Sequence, residues 1–267
     1  MDENLFSVIV SIDGDKERHD LLRKYRDGGD SYDSIAGNLA YLLTKKRIRL
    51  VCSMVIRDGL TLSDAFKMAK HFGADSIKAE HVRLTADDPL SLDPAGMKTY
   101  LEDLTGTLVD HYIGELRNGR QPLDIRLYSK ILGLLTRTRR AFFCTAGELI
   151  FGIAANGEIY PCALHVGRRQ SKLGHIDTGI DATRRRDFRE EFGWKNQQSC
   201  RRCWTRHLCG GGCSAMVDRF GHEDCAILQT ETEAAIAVYL ELMESDPPAL
   251  YGLLSPRLVS FIRGQEV

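Results

Sequence analysis

The stretch CRRCWTRHLCGGGC, residues 200–213, sets four cysteines at the spacing Cys200-x2-Cys203-x5-Cys209-x3-Cys213. Cys200 and Cys203, two residues apart, can bend around one metal centre, and Cys209 can return to it after a short loop. Gly210, Gly211 and Gly212 then let the backbone approach an inorganic core closely, at positive φ where needed, before Cys213 points elsewhere. Cys144, Cys162 and Cys225 flank the stretch, so seven of the eight cysteines fall between residues 144 and 225. An odd set of thiols in a chain without an export signal does not suit a disulfide framework, which belongs to small secreted domains. Metal ligation accounts for the crowding better. The eighth cysteine, Cys52, lies in the apolar LVCSMVI and reads as a small core residue.

Working upstream, Asn156-Gly157 is a two-residue hairpin signal between ELIFGIAA and EIYPC, and such a hairpin carries Cys162 back toward Cys144. Two kinds of metal fit these thiols. Structural zinc takes four ligands per ion, so two ions need eight and would recruit His207 or His222. Iron–sulfur clusters typically take four thiolates each, and seven leave one cluster with an open iron or an outside ligand. The odd count favours clusters, and zinc stays open.

The chain has 267 residues, of which 43% are hydrophobic, enough for a core in one or two domains. Lys and Arg number 36 against 37 Asp and Glu, a net charge of −1, so no global field draws it to nucleic acid or to an anionic membrane. No apolar run nears the ~18 residues of a membrane span, and MDENLF lacks a secretory signal's basic start and apolar core. These features point to a cytoplasmic chain with neither nucleic acid nor membrane as partner. Arg184-Arg185-Arg186 with Arg189 reads as a solvated helix face.

The amino-terminal half alternates. Residues 5–12 (LFSVIVSI) read as a buried strand closed by Asp13-Gly14, and a polar loop spans 14–30. Residues 31–46 carry helical spacing, 48–56 (IRLVCSMVI) form a second strand, a helix capped by Thr61 ends near Gly73, and 76–83 form a third strand. This is the pattern of a parallel sheet with helices on its face, an α/β fold. A long helix follows, with Asp93 as cap, Pro94 at its first position and Asn118-Gly119 as its stop. A boundary at the Gly119–Pro122 linker gives domains 1–122 and 123–246 and a tail 247–267. The last helix runs near 229–245.

The string CTAGELIFGIAANGEIYPCALHVGRRQSKLGHI, then CRRCWTRHLCGGGC and Cys225, resembles the seven-cysteine SPASM domain of radical S-adenosylmethionine enzymes over roughly residues 140–245. The resemblance implies two auxiliary [4Fe–4S] clusters. Cys144, Cys162 and Cys213 would hold the first, and Cys200, Cys203, Cys209 and Cys225 the second. Three ligands leave the first cluster an open iron; some family members supply a further upstream cysteine, but TRTRRAFF contains none. SIDGDKERHDLLRKYRDGGDSYDSI resembles the fourth strand of the radical enzyme barrel with the loop and helix after it. That likeness implies that Ser11 and Asp13 lie near S-adenosylmethionine and Arg23 near its carboxylate. The expected architecture is a partial (β/α) barrel of about three units followed by the cysteine-rich domain with its β-hairpin and helices.

A complete (β/α)8 barrel takes ~250 residues, and the family's Cys-x3-Cys-x2-Cys triplet is absent from these residues. The chain is therefore expected to be the carboxy-terminal portion of a longer enzyme or a shortened relative, unable to cleave S-adenosylmethionine alone. The family implies a peptide or protein substrate made on the ribosome, an electron donor such as flavodoxin or ferredoxin, and here a complementing amino-terminal half. The segment GEIYPCALHVG resembles enzymes that form thioether crosslinks from peptide cysteines. Sulfatase-maturing relatives usually carry an Asp base after the second motif cysteine, where this chain has Ala163. The alternatives are a sulfatase maturase, a non-catalytic iron–sulfur protein that passes electrons or docks a peptide, and a zinc-stabilised binding module.

Overall fold

The structure, a computed structural model, describes residues 6–45, 48–57, 59–84 and 88–254. It divides into two compact units: one comprises residues 1–131 with 233–267, the other residues 132–232.

In the first unit the β-branched run forms β1 (Phe6–Ser11), followed by α1 (Lys16–Leu22), α2 (Tyr32–Leu43), β2 (Ile48–Ile56), α3 (Leu62–His71), β3 (Ser76–His81), α4 (Pro94–Thr105) and α5 (Thr107–Arg117). The strands pair in parallel in the order β1-β2-β3, with Val8 opposite Leu50 and Met54 opposite Ala79. The fold is the mixed α/β arrangement read from the alternation. Burial alternates along β2, so Leu50, Cys52, Met54 and Ile56 are buried. Cys52 is the core residue its apolar setting implies, and burial alone pushes its thiol up to about 11. Thr61 caps α3 through a reciprocal pair with Asp64, and Gly73 follows at φ 58°.

Two elements differ from the sequence reading. The polar loop 14–30 contains α1, because Asp15 accepts from the Arg18 N–H as cap and His19 and Asp20 are buried and hydrogen-bonded. The helix expected from Asp93 to Asn118 is two helices, parted at Gly106 (φ −105°, ψ −84°). Asp103 accepts from the Thr107 hydroxyl and from the Leu62 N–H, both at 2.8 Å, which fixes the break.

Beyond α6 (Tyr128–Thr136) the second unit holds a small antiparallel sheet of β4 (Gly152–Ile153), β5 (Glu158–Tyr160), β6 (Gly174–His175) and β7 (Gly179–Ile180). Helices α7 (Ala182–Phe192), α8 (Gln198–Arg201), α9 (Arg206–Cys209), α10 (Ser214–Phe220) and α11 (Cys225–Ser245) follow, and α12 (Pro247–Tyr251) lies in the first unit. The hairpin forms at Asn156-Gly157, but its loop is three residues long. The Ala154 N–H bonds the Glu158 carbonyl, and Gly157 takes φ 85° after an i to i+3 turn. No helix among the described residues is long and apolar enough to cross a membrane.

Candidate metal centre

Cys144 opens a tight turn in which the Thr145 carbonyl accepts from the Glu148 and Leu149 N–H groups. The Gly147 N–H, at φ 71°, donates to the Ile150 and Pro161 carbonyls, which ties this turn to the residue before Cys162. Cys144 and Cys162 pack against one buried cluster of Ala146, Leu173 and Phe188. Gly212 and Ser214, on either side of Cys213, share a small pocket of about 20 Å³ with Cys144. The hairpin and the glycine run therefore gather the surroundings of Cys144, Cys162 and Cys213.

Cys200, at the end of α8, Cys203, in the turn after it, Cys209, closing α9, and Cys225, opening α11, line one cavity of about 520 Å³ together with Cys213. Gly210, Gly211 and Gly212 all have positive φ, at 82°, 107° and 84°. A side chain at Gly210 would meet the Phe142 carbonyl at 2.3 Å, so the loop lies directly on the backbone leading to Cys144. Among the described residues no three Cys, His, Asp or Glu groups close on a point as for a single ion. The sulfurs stand around a space instead.

The thiols of this cavity act on one another. Burial pushes Cys225 up to about 11, and the Cys200, Cys209 and Cys203 thiolates push the same way. Burial and then the Cys209 charge raise Cys200. Burial also opposes ionisation of Cys203, but the Thr205 hydroxyl at 3.1 Å, the Gln229 amide and Arg206 together hold that thiol below its ordinary value. Deprotonating all four would crowd negative charge into a partly desolvated space, which becomes favourable once a cationic centre sits among them. The donor set and the cavity therefore fit a multinuclear thiolate-bound cofactor.

Three residues to which the sequence reading gave no role at the cysteines hold these loops. Arg189, expected on a solvated face, instead donates to the Cys144 and Ala146 carbonyls at 2.9 and 3.1 Å, pairs with Glu148 at 2.7 Å and lies 3.7 Å from the Phe142 ring centre. Its neighbours Arg184, Arg185 and Arg186 are exposed as read. Arg140 donates to the Phe143 carbonyl. His165, fully buried, stands between the Ser171 and Ser214 hydroxyls. The signal available for Arg189 was its spacing of three to half-buried Phe192, but Arg185 and Arg186 stand at spacings of four and three on its other side and are exposed, so helical spacing alone does not separate it from the run. Trp204 is 52% exposed beside the cavity it lines. His222 also lines that cavity, while His207 stacks edge-on against Trp194.

In the first unit, Asp13 and Arg23 meet. The Asp13 carboxylate accepts from the Val55 N–H at 2.9 Å and from Arg23 Nε, and the Asp13 N–H donates to His19 Nδ1. Ser11 ends β1 with its side chain exposed, opposite Ser53. The Arg23 bond uses Nε, and among the described residues both Nη groups keep their donors.

Residues 144–204 match the SPASM family model, an iron-sulfur cluster-binding domain. The chain is 27% identical over 243 residues to a cysteine-type anaerobic sulfatase-maturating enzyme of Clostridium perfringens, covering 85% of this chain and 62% of that enzyme. It is 25% identical over 232 residues to the enzyme of the same name from Clostridium novyi, covering 79% and 58%. The chain thus spans about three fifths of the length of these curated relatives. Among solved structures, anSMEcpe with bound AdoMet shares the fold at a TM-score of 0.67 and 19% identity, covering 99% of this chain and 71% of that one. The same protein with AdoMet and the Kp18Cys peptide gives a TM-score of 0.64 at 20% identity, with 98% and 71% covered. The SPASM match over residues 144–204, the sequence relatives and the shared fold together support a radical S-adenosylmethionine/SPASM maturase.

Proposed function

We propose that this chain forms the carboxy-terminal part of a radical S-adenosylmethionine/SPASM enzyme that modifies a ribosomally made peptide, and that its second unit binds two [4Fe–4S] clusters. The observation that carries the reading is the cavity of about 520 Å³ lined by five cysteines, beside the packed pair Cys144 and Cys162. Cys200, Cys203, Cys209 and Cys225 are the donors assigned to one cluster, and Cys144, Cys162 and Cys213 to the other. When bound, such clusters supply one-electron transfer and, where an iron keeps an open position, a site for a substrate thiolate. The chain's own part is to hold seven thiols in place. Positive φ at Gly210–Gly212 lets the loop turn between the two donor sets, Arg189 fixes the Cys144 carbonyl, and Thr205 and Gln229 orient Cys203.

The Asp13–Arg23 pair supports a place for S-adenosylmethionine in the first unit, with the Arg23 Nη groups as donors to its carboxylate. Cleavage of that cofactor requires a cluster-binding triplet outside these residues, supplied by a longer chain or by a complementing half. An electron donor such as flavodoxin or ferredoxin completes the partners, and the cytoplasm is the compartment that keeps these thiols reduced.

The likeness of GEIYPCALHVG to thioether-forming enzymes favours thioether formation, and Ala163 after Cys162, where sulfatase-maturing relatives usually carry an Asp base, weighs against the sulfatase reading. The sulfatase-maturase reading is favoured by the clostridial relatives and by the peptide-bound structure of anSMEcpe. Anaerobic loading with iron and sulfide tests the cluster reading. About eight irons per chain and broad absorption near about 400 nm are expected; two zinc ions and a colourless protein overturn it. Adding a cysteine-containing peptide should change the cluster absorption and paramagnetic spectra, and its Cys-to-Ser counterpart should not.

A further inference from the structure

The seam between the two cysteine groups is narrow. The Arg140 N–H donates to the His207 carbonyl at 2.8 Å, so the approach to Cys144 runs beside α9, which ends in Cys209. The Arg140 guanidinium turns back and donates through Nη2 to the Phe143 carbonyl, the peptide group that joins Phe143 to Cys144, with the Phe143 ring centre 6.0 Å away. From the other side the Gly210 backbone, next to Cys209, abuts Phe142 and Phe143 so closely that a methyl group there would sit 2.7 Å from the Phe143 nitrogen. One half-buried guanidinium therefore stands in the seam that separates a donor of one group from a donor of the other.

Its charge is set against sulfur. Burial works against the Arg140 cation, and Cys209 and Cys144 are the groups that favour it. Arg189, the other guanidinium near Cys144, pairs with Glu148 at 2.7 Å. Arginine keeps its proton throughout the working range of pH. A fixed cation in a partly desolvated seam acts on added negative charge several-fold more strongly than it would in water.

We propose that Arg140 is a positioning residue shared by both iron–sulfur centres, whose fixed charge favours reduction of each. The proposal rests on the two-cluster reading above. Its test uses the full chain, loaded anaerobically with iron and sulfide, as wild type, Arg140→Lys, Arg140→Gln and Arg140→Met, with iron content determined before a redox titration followed by paramagnetic resonance. At equal iron content, Arg140→Gln should lower the reduction equilibrium constant of both centres about tenfold, which is about 59 mV for a one-electron couple. Arg140→Lys, which keeps the charge, should stay close to wild type. Arg140→Met keeps the apolar stem against Phe143 and should repeat the Gln shift if Gln impairs folding. Unchanged potentials in both neutral variants, a shift in only one centre, or an equal shift with Lys would overturn the proposal. Wild-type protein that binds no iron would instead overturn the two-cluster reading itself, and the role of Arg140 with it.

Discussion

His165 Nε2 lies 3.0 Å from the Ser214 hydroxyl, and its Nδ1 lies 3.0 Å from the Ser171 hydroxyl, in a ring that is fully buried and packs edge-on against Phe188. Ser214 follows Cys213, and His165 is three residues beyond Cys162, so one imidazole joins two of the loops that bear the first thiol set. His165→Ala removes both bonds and leaves a void among Phe188 and Phe192, a loss of about 2–4 kcal/mol. Urea unfolding should show it, with iron uptake falling alongside. Burial lowers the His165 pKa, so folding favours the neutral ring. The stability it contributes is full above the unfolded value of about 6.5 and is lost as the pH falls below it. The wild-type urea midpoint should therefore drop between pH 7.5 and pH 5.5, and His165→Gln should flatten that drop.

The parallel half of the fold was legible because β2 and α3 carry their own signals: a β-branched run for the strand, and Thr61, Asp64 and Gly73 for the helix. The cysteine pattern was equally plain, since ligand spacing is a local property. Tertiary partners were not. Gly106 breaks a helix whose flanks both look helical, and the decision rests on Asp103 finding the Leu62 N–H far away in sequence. Arg189, Arg140 and His165 look like ordinary polar residues until the loops that they hold are folded next to them.

Gly210 should be far less replaceable than Gly167. Its φ of 82° strains any L side chain, and a methyl group would meet the Phe142 carbonyl carbon and oxygen, both at 2.3 Å. Gly167 has a similar φ of 85° but nothing within 4 Å. Gly167→Ala should cost about 1–2 kcal/mol from conformation alone, whereas Gly210→Ala should cost more than about 3 kcal/mol, because backbone must move as well. Comparable urea midpoints for the two variants would show that the loop is not seated on Phe142.

The hairpin that returns Cys162 carries an acid-sensitive clasp. Lys172 at 2.7 Å leads the groups, with Asn156 and the Tyr160 hydroxyl, that hold Glu158 down to about 2. The contribution is complete above the unfolded carboxylate value of 4.5 and is lost as the pH falls toward 2. Protection of the hairpin amides, measured as hydrogen exchange relative to the intrinsic rate at each pH, should fall over that interval in wild type, and Glu158→Gln should remove that fall.

Ile9 lies in the middle of β1, 65% exposed, in a strand whose pairing among the described residues is with β2 on one side only. An uncovered, apolar strand edge recruits other strands, and a lysine on it is the usual protection. If the first unit is free on this side in solution, Ile9→Lys should leave the unfolding midpoint within about 0.5 kcal/mol of wild type while lowering self-association measured by light scattering. If another polypeptide covers β1, the same substitution buries a charge and lowers both the stability and the yield of that complex. The sign of the change in midpoint therefore reports whether the sheet ends at β1 or continues in a partner.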